Sequence, residues 1–313
     1  MVCRNGGALG AGHTGRVVEI PEIEVDDALV AALVAAQFPH LAGVPVRIVA
    51  AGWDNVIARV GDDVAARLPV RESAVPLLVN EQRWLPVLAP TLSVATPVPL
   101  GRGRRGETYP WPWSLVPWFA GPTALDRPPS VAAQGRFADE LAVFLRGLHQ
   151  PAPDDAPHNA FRGVPLAARD ELARSHLAQL AAAGWTLSVA AETRWRQVVD
   201  APAPTERRWL HGDTHPGNLM VDESGRLRAV LDWGDLCGGD VASDLVIAWM
   251  SLEPGPRRRL RAAIGVDDAT WARGQGWALA IGLALMTSPR ADARYRSLGE
   301  RTVGAVLAED PIA

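Results

Sequence analysis

The residues whose types and spacing point to chemistry lie in one stretch, WLHGDTHPGNLMVDESGRLRAVLDWGD, from Trp209 to Asp235. Asp213 and Asn218 stand five positions apart, in a segment that Gly212, Pro216 and Gly217 keep from being helical. Asp232 follows Asn218 by fourteen positions, at the end of the apolar run LRAVL. A loop followed by a β-hairpin would return Asp232 to the neighbourhood of Asn218 and gather two carboxylates and a carboxamide oxygen in one small volume. Oxygen donors of this kind suit Mg²⁺, which takes one or two protein carboxylates and completes its shell with water and nucleotide phosphates. With Asn218 and Asp232 on the metal, Asp213 is left to orient a hydroxyl and accept its proton. Phosphoryl transfer needs just this combination of positioning and charge neutralisation. Two other readings compete. Asp and Asn in a loop commonly bond their own backbone as turn formers. His211 and His215 have the i,i+4 spacing of a metal pair, but that spacing works on a helix and this segment excludes one. His211 is expected instead to anchor the loop through backbone hydrogen bonds.

The order D-x-x-x-x-N followed by a strand-terminal Asp resembles the catalytic loop and metal-binding aspartate of protein kinases. With His211-Gly212-Asp213, Asn218 and Asp232-Trp233-Gly234-Asp235 taken together, the chain resembles the aminoglycoside phosphotransferase family of kinase-like small-molecule kinases, which includes macrolide phosphotransferases. The resemblance covers the chain from about Val25 onward. It implies an α+β, two-lobed protein-kinase-like fold, with a small antiparallel-sheet N-lobe, a mainly helical C-lobe, and ATP or GTP with Mg²⁺ between them. It also implies Asp213 as catalytic base and Asn218 and Asp232 as metal ligands. The turn Gly52-Trp53-Asp54-Asn55 would lie over the phosphates, although a plain hairpin turn is the more common explanation of such a tetrapeptide. The family often places lysine on the third strand; here Arg67 occupies DVAARLPV, with Arg71 as a competitor and Glu81 as the partner that would hold Arg67. Val116 and Trp118 would surround the purine at the lobe junction. Asp240 and Asp244, in CGGDVASDLVIAW, would hydrogen-bond the catalytic-loop backbone, with Val241 standing where the family usually has proline.

The surrounding pattern supplies elements to position these residues. Residues 25–38 read as a helix, followed by three β-like runs, VPVRIVAAG, NVIARV and DVAARLPV. Ser73 caps an expected helix to about Leu88, with Pro86 fraying its last turn. Strands are expected at 94–100 and 112–118, separated by the turn-rich GRGRRGE. Beyond Gly121-Pro122 the pattern turns helical: 130–149, then 166–182, 188–199, 239–251, 256–264, 268–288 and 292–307, with 150–165 a loop and 208–232 a β island. The expected organisation is a loose tail over 1–20, a β-rich nucleotide-binding lobe over 21–118 and an α-rich lobe over 119–313.

Composition bounds the function classes. The chain has 313 residues, 48% hydrophobic and 21% charged, with a net charge of −4. That balance excludes wholesale disorder and a uniformly basic nucleic-acid surface. All 31 basic residues are arginine, which removes lysine Schiff-base chemistry. The two cysteines, Cys3 and Cys237, build neither a disulfide framework nor a zinc knuckle. No apolar run is long enough to cross a bilayer, and the first twenty residues lack the core of a secretion signal. A cytoplasmic monomer or homodimer is expected, with a nucleoside triphosphate and a small-molecule acceptor as partners and neither nucleic acid nor membrane.

The leading acceptor is an antibiotic, aminoglycoside or macrolide; a metabolic sugar or amino alcohol is the runner-up. Segment 251–313 holds nine arginines against seven acids, which does not advertise a polycation pocket. Trp249, Trp271 and Trp277 offer stacking faces, or else core. A catalytically weak kinase-like binding protein is a second class, on the missing lysine. A protein kinase is disfavoured, because Cys237-Gly238-Gly239 leads directly into a helix without an activation segment.

Overall fold

A computed structural model of the protein describes residues 21–52 and 54–309, so the expected tail over 1–20 and Trp53 lie outside the described residues. The first half is a five-stranded antiparallel sheet of spatial order β1-β2-β3-β5-β4: β1 Val46–Ala51, β2 Asn55–Val60, β3 Val64–Pro69, β4 Gly101–Gly103 and β5 Trp113–Pro117. Two short turns close the first hairpins, Gly52 N–H donating to Asn55 O at 2.8 Å and Gly61 adopting φ 63°. Helix α1 (Asp27–Gln37) is capped by Asp26, whose carboxylate accepts from Leu29 N–H at 2.7 Å. It lays Val30, Leu33 and Val34 on the sheet, against Ala58, Ala66, Leu68, Trp113 and Leu115, to form the first core.

Helix α2 (Val75–Leu88) crosses behind this sheet, and its Leu85 and Leu88 join a second, larger core in the helical half. Pro86 does not fray it: the helix continues to Leu88. Proline brings no N–H to the carbonyl four residues back. That carbonyl, of Gln82, instead accepts from the Arg102 guanidinium. The expected strand 94–100 is absent. Pro97 and Pro99 have no N–H to give a ladder, and only Ala95 forms an isolated bridge, to Ala229. The strand lies a few residues on, at β4, inside the segment read as a turn.

The second half is mainly helical: α3 (Gln134–Leu148), α4 (Asp170–Ala182), α5 (Ser188–Val198), α6 (Ile247–Ser251), α7 (Pro254–Ile264), α8 (Asp268–Thr287) and α9 (Ala293–Leu307). Phe137, Leu141, Phe144, Leu145 and Leu148 of α3 and Trp271, Trp277 and Leu283 of α8 are buried in one core. Two small two-stranded sheets are inset in it: β6 (Arg208–Leu210) with β9 (Cys237–Gly239), and the hairpin β7 (Leu219–Val221) with β8 (Leu227–Val230). The pairing of β9 with β6 extends the β island beyond its expected end at 232. None of the described helices is long and apolar enough to cross a membrane.

Candidate active site

The hairpin β7–β8 performs the expected return. Leu231 N–H donates to Asn218 O at 2.8 Å, and the Asn218 side-chain amide donates to Asp213 O at 3.0 Å and to Asp213 Oδ2 at 3.3 Å. Asp232, next in the chain, has φ 56°, the one described non-glycine residue with positive φ. A left-handed backbone at a non-glycine residue costs of order 1–3 kcal/mol. Here the chain turns sharply as it leaves β8, and the Asp232 side chain stays at the loop instead of continuing along the strand.

The loop itself is held from beneath. Asp244, fully buried, accepts from His211 N–H at 2.8 Å, from Gly212 N–H at 2.9 Å and stands 3.1 Å from His149 Nε2. Burial would raise the Asp244 carboxyl, but hydrogen bonding and charge from His149, with His211 beside them, hold it below the ordinary range. The His211 ring closes the loop: Nε2 lies 2.9 Å from Leu231 O, a group that only accepts, so Nε2 carries the proton and Nδ1 receives Asp213 N–H at 3.2 Å. Asp240 takes a different position from the loop contact expected of it. Its carboxylate accepts from Ala242 N–H at 3.1 Å and pairs with Arg273 at 2.6 Å, which tethers α8 to the segment after β9.

Asp213 is 5% exposed and surrounded by donors. Arg162 approaches Oδ1 at 3.5 Å and His215 Nε2 approaches Oδ2 at 3.4 Å. Burial alone would raise its pKa; His215, Arg162 and His211 overcome that and hold it down at about 2. The group is therefore an ionised acceptor throughout the physiological range. Arg162 also donates through Nε to Gly212 O. It comes from the 150–165 loop, whose lack of periodicity gave no hint of a site residue. Asn159, in the same loop, donates to Asp235 at 2.7 Å. Asp235 is pushed up to about 6, by burial first and then by Asp213 and Asp232, against the pull of Arg162.

On the sheet side, Arg67 reaches across to Asp232, with Nη2 2.9 Å from Oδ1, and lies 3.4 Å from Glu81 on α2. Burial would lower the Arg67 pKa, but the two carboxylates raise it further. Glu81, at 0% exposure, is pushed up to about 7 by burial despite Arg67. Register distinguishes the two arginine candidates: Arg67 lies opposite Ser114 of β5, whereas Arg71, past the strand end, stands 3.8 Å from Asp54 of the β1–β2 turn. The run Val64-Ala65-Ala66-Arg67 spells the V-A-x-K of kinase third strands with arginine in the last place, a signal the sequence offered for choosing Arg67. Val116 is buried opposite Ala65, and Trp118 donates its N–H to Asp63 O at 2.8 Å, so that N–H is already taken. The Trp118 ring lies 5.6 Å from the Arg59 guanidinium.

The donor set suits a cation shared with phosphate. Among the described residues no three His, Cys, Asp or Glu side chains are grouped to cage a metal. The Asp232 carboxylate is 22% exposed, and the Asn218 amide nitrogen is committed to Asp213, so the amide oxygen is the Asn218 atom left to meet a ligand. One carboxylate and one amide oxygen fit Mg²⁺ carrying phosphate and water, and fit poorly a metal held by protein alone.

The sequence model of the phosphotransferase enzyme family matches residues 45–277. The chain belongs to that family. This family member is 29% identical over 166 residues to an aminoglycoside 3'-phosphotransferase of Escherichia coli, a stretch covering 50% of this chain and 59% of that protein. A Salmonella typhimurium enzyme of the same name matches at 28% identity over the same shares. The chain thus spans less than two thirds of the length of these curated relatives. Among solved structures, a GDP complex of an aminoglycoside 2'-phosphotransferase IIIa variant superposes with TM-score 0.67 at 18% identity, covering 90% of this chain and 98% of that one. Macrolide 2'-phosphotransferase MphH from Brachybacterium faecium superposes with TM-score 0.57 at 23% identity, covering 91% and 99%. These likenesses establish the fold, a kinase-like arrangement of antiparallel sheet and helical half.

Proposed function

We propose that this chain transfers the γ-phosphoryl group of a nucleoside triphosphate, ATP or GTP, to a hydroxyl of a small molecule. The observation that carries this reading is the convergence of Asp213, Asn218 and Asp232 on one loop-and-hairpin unit, with Arg67 bonded to Asp232 at 2.9 Å from the sheet side. In this reading residues 21–118 form the nucleotide lobe and 119–313 the catalytic and acceptor lobe, in the cytoplasm where nucleoside triphosphates are abundant.

Each role follows from the chemistry of the side chain. Arg67, steadied by Glu81, would meet phosphate oxygens with a planar guanidinium. Asp232 and the Asn218 amide oxygen would hold Mg²⁺, which when bound would neutralise charge on the transferred group. The β1–β2 turn, Gly52 to Asn55, would lie over the phosphates, and the β5 end at Val116 and Trp118 would border the base. Asp213 accepts the hydrogen bond of the acceptor hydroxyl and aims its oxygen at the γ-phosphorus. As the new P–O bond forms and the bond to the β-phosphate oxygen breaks, the hydroxyl proton passes to Asp213 and from there to solvent. A carboxylate held near pKa 2 is a weak ground-state base. A loose transition state makes little demand on a base until the hydroxyl has become acidic, so orientation is the larger part of its role.

The relatives' names supply the first acceptors to test, aminoglycosides and macrolides. The deciding experiment replaces Asp213 with Ala. Transfer should vanish while Mg·nucleotide affinity stays within a few-fold of wild type; retained turnover removes Asp213 from this role.

A further inference from the structure

Every buried or half-buried arginine described here has an oxygen partner except one. Arg169, in the 3₁₀ turn Leu166–Arg169 that leads into α4, has neither a carboxylate nor a carbonyl within bonding distance among the described residues. Its guanidinium carbon lies 6.0 Å from the ring centroid of Phe161 and 5.9 Å from that of Trp277. Half-buried, and facing the like charge of Arg162, it has a pKa lowered by burial first and then by Arg162. A cation desolvated to this degree without a counter-charge is costly to keep. The fold compensates the others: Arg67, Arg162, Arg257 and Arg273 each meet an acid.

The neighbourhood is built to receive something. Phe161 is 40% exposed, an aromatic face open to solvent beside the charge. Among the described residues the indole N–H of Trp277, itself 1% exposed, has no partner, and neither has the buried His176 Nε2, its Nδ1 being engaged with Thr287 Oγ1 at 2.7 Å. The cluster also faces Arg162, the arginine that approaches Asp213. Phe161 adjoins Arg162, whose guanidinium is 3.5 Å from Asp213 Oδ1. None of these groups takes part in the Arg67–Asp232 pairing on the nucleotide side.

We propose that Arg169 binds an anionic group of the acceptor, a carboxylate or a phosphate monoester, with the exposed ring of Phe161 beside it. The inference rests on the phosphotransferase reading and narrows its substrate class: the hydroxyl compound presented to Asp213 carries a negative charge and an apolar or aromatic body, and a polycation is disfavoured. A charge-assisted pair of this kind discriminates by roughly 10- to 100-fold.

The test is calorimetric titration of the full chain with two matched pairs: 3-hydroxybenzoate against 3-hydroxybenzamide, and phenyl phosphate against phenol. Wild type should bind the anion of at least one pair ten-fold or more tightly than its neutral partner. Arg169→Gln should bring that ratio within about two-fold without changing affinity for the neutral compound, and Arg169→Lys should restore part of it. Preference for phenyl phosphate identifies a phosphate-bearing acceptor; preference for 3-hydroxybenzoate identifies a carboxylate-bearing one. Equal affinity within both pairs, no saturable binding of any of the four, or a preference that survives Arg169→Gln overturns the inference. Mg·ATP and Mg·GTP titrated into the same samples keep the two readings apart: intact nucleotide affinity with no anion preference defeats only this inference, whereas absent nucleotide affinity counts against the phosphotransferase reading.

Discussion

Replacing Asp244 tests whether the reactive loop is built from below. The carboxylate is fully buried and receives His211 N–H at 2.8 Å, Gly212 N–H at 2.9 Å and the His149 ring at 3.1 Å. Asp244→Ala strands two buried backbone donors and a ring nitrogen. Each unsatisfied buried group costs about 1–3 kcal/mol, and removing one side of a buried ionic cluster costs about 3–5 kcal/mol in total. That is a large part of an ordinary folding free energy of about 5–15 kcal/mol. Urea denaturation at pH 7 should show this loss, and Asp244→Asn, which keeps one acceptor oxygen, should lose about half as much. The sign with pH follows from the depressed folded pKa. The ionised carboxylate contributes fully above its unfolded value near 4 and loses its contribution as pH falls through the lower folded value. The gap between wild type and Asp244→Ala should therefore be widest at neutral pH and narrow below about pH 4. Because Asp244 fixes the backbone on which Asp213 is mounted, phosphoryl transfer by the folded fraction should also fall at least ten-fold. Equal urea midpoints for wild type and Asp244→Ala, or a gap that widens in acid, would refute the reasoning.

Three further outcomes follow from the same geometry. Arg67→Ala leaves Glu81 buried and unpaired, so thermal stability should fall and affinity for Mg·ATP and Mg·GTP should drop at least ten-fold in titration calorimetry; unchanged nucleotide affinity would contradict the assignment. Asp235→Asn should raise the melting temperature at pH 8 but not at pH 4. The wild-type group, pushed up to about 6 when folded, favours its neutral form, so its contribution declines as pH rises from about 4 to 6 and stays unfavourable above; an equal difference at both pH values would be inconsistent with this. Gly239→Ala places a methyl 2.4 Å from Gly163 O, where Gly163 holds φ 63°. It should cost about 1–3 kcal/mol in denaturant and lower turnover by shifting Arg162 from Asp213; wild-type stability would rule out the close approach.

The convergence of Asp213, Asn218 and Asp232 was legible because each local signal agreed. Glycine and proline barred helix around Asp213 and Asn218, and an apolar run with a DESG turn required a hairpin that returned to them. What stayed hidden depends on contacts far apart in sequence. Arg162 and Asn159 lie in a loop with no periodicity, and their roles exist only because that loop crosses Gly212 and Asp235. Arg102 could not be foreseen as the partner of the carbonyl left open by Pro86, twenty residues away. The strand expected at 94–100 does not form because Pro97 and Pro99 bring no N–H to a ladder, whatever the propensity of their neighbours. Asp240 and Asp244 look alike in sequence; only the position of Arg273 on α8 separates them. The tryptophans offered as stacking faces are core: Trp249 and Trp271 pack with ring centroids 4.6 Å apart, and both are buried.

The most direct measurement is transfer of labelled γ-phosphate from Mg·ATP and Mg·GTP to a panel of aminoglycosides, macrolides and hydroxy acids, with wild type and Asp213→Asn run side by side. The account requires a phosphorylated acceptor with wild type, and a loss of at least about 100-fold in the variant at unchanged nucleotide affinity. Wild-type chain that binds neither nucleotide, or Asp213→Asn that transfers phosphate at the wild-type rate, would contradict it.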